Sequence, residues 1–201
     1  RSAAIPALNR LGISPVGVLK PKYGTHGLDY YLLIPHPDIN SFLSAWDRLA
    51  QDKEYLAKGR EFLQAGMDNP AYYRFSTSLL HAFTHLPRLE MPDNLKGKSG
   101  RIFEIRTYES HSREKAILKV EMFNEGGEIK VFKESGMNPV MFGETLAGEK
   151  MPNLVYMLAF ENLAERDAAW KRFADSEGWT KLKDMPRYKD TVCSVTDVIL
   201  S

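Results

Sequence analysis

Residues 101–109, RIFEIRTYE, alternate apolar and polar positions, the period of a half-buried strand. From about 113 to 135 the pattern changes to Leu118, Met122, Ile129 and Phe132 at helical spacing, with Gly136 as the stop. Pro139 to about Leu146 reads as a second strand, Ala147-Gly148-Glu149 as a turn and Asn153 to Phe160 as a third strand. Leu163 to Ala174 reads as a helix with Leu163, Ala169, Trp170 and Phe173 inward, and a last strand runs from about Thr191 to Leu200. The order is βαββαβ, the split βαβ of ferredoxin-like units.

The first half follows the same order without its beginning. Residues 1–11 read as the end of a helix, with strands near 14–20 and 28–34. A second helix carries Ile39, Phe42, Trp46 and Leu49 on one stripe. A helical insertion covers roughly 53–65, and a final strand lies near 72–83.

The two halves are related by an offset of 124 residues. Ile5, Gly12, Pro15, Val16, Gly24, Ala45, Trp46, Arg48 and Ala50 recur as Ile129, Gly136, Pro139, Val140, Gly148, Ala169, Trp170, Arg172 and Ala174. These nine identities over residues 5–55 need no gap, where average composition gives about three by chance. Tyr55 falls on Trp179, and Pro70 and Tyr72 match Pro186 and Tyr188 at a shorter offset of 116, so the first copy carries an eight-residue insertion. The predicted domains are a degenerate, N-terminally truncated repeat at 1–85, a linker at 86–99 with Pro87, Pro92 and Gly97, and a full repeat at 100–201. Nothing in the first copy corresponds to residues 101–109. A ferredoxin-like sheet without that central strand would hold two unpaired ladders. The protein is therefore expected to extend upstream of Arg1 by a strand and the start of a helix.

The third strand is apolar on both faces, with Val155, Met157 and Ala159 on one and Tyr156, Leu158 and Phe160 on the other, so both faces are expected to be buried. The predicted fold class is α+β: tandem ferredoxin-like βαββαβ repeats packed sheet to sheet as an intrachain, dimeric-type α+β barrel, the first repeat lacking its first strand.

Composition narrows the possible functions. The chain is 43% hydrophobic and 26% charged, ordinary for a globular protein. With 27 basic and 26 acidic residues the formal net charge is +1, which argues against nucleic acid as a partner. Cys193 is the single cysteine, so an intrachain disulfide and a cysteine-built zinc site are excluded. No apolar run approaches the ~20 residues of a membrane-spanning helix.

Phe103-Glu104-Ile105-Arg106-Thr107-Tyr108 resembles the opening strand motif of NIPSNAP proteins. Asn162-Leu163-Ala164-Glu165-Arg166-Asp167-Ala168-Ala169-Trp170 resembles that family's second-helix motif, and Trp179 fits the tryptophan that follows it. The resemblance covers about residues 101–200 directly, and residues 1–83 through the repeat. It implies a dimeric α+β barrel related to monooxygenase-like and haem-handling barrels, without an assigned reaction.

Two charges interrupt the inward stripes of the second copy. Glu125 continues the row of Leu118, Met122, Ile129 and Phe132, and Arg166 the row of Leu163, Trp170 and Phe173. An unpaired buried charge is costly, so the two are expected to meet beneath the helices, either as an ion pair or as a pocket in which Arg166 holds an anion. Glu104, Arg106 and Tyr108 share one strand face, where they either line a barrel interior or close a cross-strand network; the network is the preferred reading, and Tyr156 could join it. Glu125, Arg166, Arg106 and Tyr108 are thus the candidate ligand-binding residues.

His81 and His85, four apart, give a weak metal signal, and His26, His36 and His111 are scattered. No cofactor and no metal is expected. Gly126-Gly127 follows no strand and reads as a helix kink instead of a phosphate loop. Cys193 lies mid-strand with no histidine close in sequence, which disfavours it as a nucleophile. Two functions stay open. The preferred one is a barrel that binds a small molecule, extending to a cofactor-independent oxygenase or isomerase-type enzyme. The other is a non-catalytic interaction or scaffold protein with a packed barrel. A pocket on the Arg166 or Arg106/Tyr108 face separates them. Self-association beyond the intrachain pseudo-dimer is compatible with both.

Overall fold

The computed structural model describes residues 1–24 and 28–201. The chain divides into two compact units: residues 1–19 with 30–76, and residues 20–29 with 77–201.

Unit one contains α1 (Ala4–Arg10), β1 (Gly17–Leu19), β2 (Tyr31–Leu33), α2 (Ile39–Ala50), α3 (Lys53–Lys58) and α4 (Arg60–Leu63). Asp38 and Asp52 start α2 and α3 by accepting hydrogen bonds from the backbone N–H of Ser41 and Tyr55, each at 2.8 Å. Such caps satisfy amides that the first helical turn leaves without partners. Ala7, Leu8, Ile13, Ala45, Leu49 and Tyr55 form the core. The expected inward stripe of α2 is not the one observed. Leu49 is buried, but Ile39 and Trp46 are exposed, and Ser41 and Ala45 complete the inward row. The reason is area: two antiparallel strands of three residues each cannot cover the broad apolar face of a twelve-residue helix.

Unit two holds β3 (Leu79–Ala82), a 3-10 turn at Asp93–Leu95, β4 (Ile102–Glu109), α5 (Arg113–Asn124), α6 (Glu128–Glu134), β5 (Asn138–Ala147), β6 (Asn153–Phe160), α7 (Leu163–Asp175), α8 (Glu177–Lys183), a second 3-10 turn at Pro186–Tyr188 and β7 (Ser194–Leu200). The antiparallel sheet has the order β3-β5-β6-β4-β7, so β4 is internal and pairs with both β6 and β7. The four strands predicted from 101 onward are all present. The strand predicted near 72–83 is confined to β3, on the β5 edge of this sheet. Beside β7, Lys20 and Ser201 exchange backbone hydrogen bonds, and Pro21 bridges to Leu200. Leu86 and Leu95, in the segment expected to be a linker, are buried. The strands form a two-stranded and a five-stranded sheet, and no closed barrel is seen among the described residues.

The long helix predicted from 113 to 135 is two helices. Gly127 has φ of +87°, a left-handed conformation that glycine adopts without penalty, and it ends the phase of α5 before α6 begins. An aromatic cluster packs beneath the helices. Phe123, Phe132, Phe142 and Tyr156 have ring centroids 5.2–6.1 Å apart, a spacing at which aromatic pairs attract. β6 is buried on both faces as expected, with Tyr156, Leu158 and Phe160 in this cluster and Met157 and Ala159 also buried.

Candidate functional site

β4 carries Glu104, Arg106 and Tyr108 at alternate positions, which directs all three to one side of the sheet. That side is the one covered by helices, not a barrel interior: Glu104 meets α7, and the Tyr108 ring lies against Phe123 of α5. Glu104 is fully buried and is the hub. Its carboxylate accepts from Arg166 Nε at 3.1 Å, Arg166 Nη2 at 2.5 Å, Trp170 Nε1 at 2.7 Å and Arg106 Nη1 at 3.3 Å. Arg166 and Trp170 converge because they lie four residues apart, one turn along α7.

The network extends through stacking. The Arg106 guanidinium carbon lies 4.4 Å from the Trp170 ring centre and 5.6 Å from that of Tyr108, distances typical of cation–π contact. Tyr156 O–H donates to the Tyr108 oxygen at 2.8 Å. Burial pushes both phenols up, Tyr156 well above the ordinary value, so neither is poised as a phenolate base. Arg166 is held above its ordinary value mainly by its hydrogen bonds to Glu104, with a further contribution from Asp167.

Arg106, Tyr108 and Tyr156 lie in one network, and Arg166, which the sequence pattern set opposite Glu125, joins it through Glu104. Glu125 is not among them. It is exposed at the C-terminus of α5, because the left-handed Gly127 breaks the phase on which its inward placement depended. The acid paired with Arg166 is Glu104.

A second buried pair was not anticipated. Lys119 Nζ donates to Glu128 Oε2 at 2.6 Å, and both side chains are almost fully buried. Lys119 also lies 4.6 Å from the Phe123 ring centre and within 6 Å of Tyr108 and Trp179. Burial raises the Glu128 carboxyl above its ordinary value, against the pull of Lys119. The signal available in the sequence was a lysine in the row Ala116, Lys119, Met122, Phe123, which is the face α5 buries.

Two open surface hollows occur in this unit. One, of about 260 Å³, is lined by residues including His85, Asn124, Gly127 and Lys130; the other, of about 340 Å³, by residues including Glu90, Asp93, Lys133 and Asn138. Neither is lined by Glu104, Arg106, Tyr108 or Arg166. Among the described residues no group of three or more His, Cys, Asp or Glu side chains is placed to hold a metal ion. His26 lies outside the described residues. Cys193 is exposed just before β7, its Sγ 3.3 Å from the Glu109 carbonyl oxygen. No helix among the described residues is long and apolar enough to cross a membrane.

Comparison with known proteins places this site in context. Residues 103–200 match the family model NIPSNAP. An uncharacterised NIPSNAP-like domain protein of Burkholderia xenovorans is 16% identical, the match covering 52% of this chain and 86% of that one at a TM-score of 0.47. A NIPSNAP family protein of Agrobacterium tumefaciens is 20% identical, over 50% of this chain and 91% of that one, at 0.43. A candidate monooxygenase of Lactobacillus acidophilus is 10% identical over 92% of this chain and 75% of its own, at 0.53, a likeness of fold alone. No curated protein matches the chain.

Proposed function

We propose that this chain, whose residues 103–200 match the NIPSNAP family model, is a non-catalytic interaction module in which the Glu104 network holds the fold together. The observation that carries this reading is the saturation of Glu104. A carboxylate has about four lone-pair sites, and here four donors from three side chains occupy them with no exposure to water. Arg166, the residue best suited to hold an anion, has its Nε and Nη2 turned to Glu104 and its Nη1 to Asp167. General acid–base chemistry needs a group within reach of substrate and matched to the working pH, and the two tyrosines are both buried and shifted upward.

The tandem-repeat reading belongs to the same proposal. The offset of 124 residues carries α1 at 4–10 onto α6 at 128–134, and the start of α2 at 39 onto the start of α7 at 163. It also carries the cap Asp38 onto the cap Asn162, and Gly12, φ +78°, onto Gly136, φ +80°.

Native mass spectrometry of the purified chain tests the function. The expected spectrum is that of polypeptide without a bound small molecule. A small molecule retained at unit stoichiometry, and lost on Arg106→Met, would favour the ligand-binding reading instead.

A further inference from the structure

We draw no further inference here: the strongest candidate, the open hollow of about 260 Å³ at the joint of α5 and α6, whose rim carries His85, Lys130 and Lys133, takes its charge from exposed side chains alone, and nothing in the structure shows what covers it.

Discussion

At the scale of single residues, buried charge is the clearest guide to what this site does. Glu104 and Glu128 are both buried acids, but their surroundings differ. Glu104 has four donors, two of them from the Arg166 guanidinium, whereas Glu128 has Lys119 as its charged partner. Glu128 accordingly carries a raised pKa, with burial as the dominant cause. The consequence for stability has a definite sign. In the folded chain Glu128 holds its proton to a higher pH than in the unfolded chain, so the folded state binds more protons in that window. Stability contributed by this group is full below the ordinary value of 4.5 and is lost as pH rises from there through the folded value. Chemical denaturation at a series of pH values should show wild type losing stability relative to Glu128→Gln as pH climbs above 4.5. A wild-type-minus-variant difference that is flat with pH would contradict the assignment. Of these residues the sequence made Arg166, Arg106, Tyr108 and Tyr156 legible, because each breaks or continues a clear periodicity. Glu125 misled because helical phase was extended across a glycine pair. Lys119 was missed because a lysine's long stem normally takes its charge to solvent.

At the scale of elements, the two tryptophans related by the sequence offset of 124 residues, Trp46 and Trp170, provide an internal control. They lie on α2 and α7, and periodicity alone places both inward. Trp170 packs against the aromatic cluster and donates to Glu104, while Trp46 is largely exposed. The difference lies not in the helix but in what the sheet offers it. α7 lies over a sheet in which β4 and β6 are eight residues long, and α2 shares its unit with strands of three. Trp170→Ala should therefore cost about 3 kcal/mol or more, as for other large aromatic truncations in a core. Trp46→Ala should stay within about 0.5 kcal/mol, as for a surface change. Urea denaturation of both variants checks this, and similar costs at the two positions would refute it. Helix and strand positions in the second half were readable from period alone, since each is long and bounded by turn or cap residues. In the first half the elements were readable but their inward faces were not. Burial there depends on partner area, which local pattern does not encode.

At the scale of the whole molecule, the reach of the family match and the geometry point to the same economy. The NIPSNAP match covers residues 103–200, and within that stretch lie the hub Glu104 and all the partners that bind it. A network that closes on itself among β4, β6 and α7 needs no ligand to complete it. Removing one partner of a buried ion pair typically costs about 3–5 kcal/mol, because the remaining charge is left uncompensated. This separates a structural role from a ligand-holding one, since a guanidinium reserved for a ligand would be only weakly coupled to Glu104. The most direct test is a double-mutant cycle of Glu104→Gln and Arg166→Gln, read by chemical denaturation on the full chain. The account predicts a coupling energy above about 1 kcal/mol, the signature of side chains that act as one unit. Coupling near zero would contradict it.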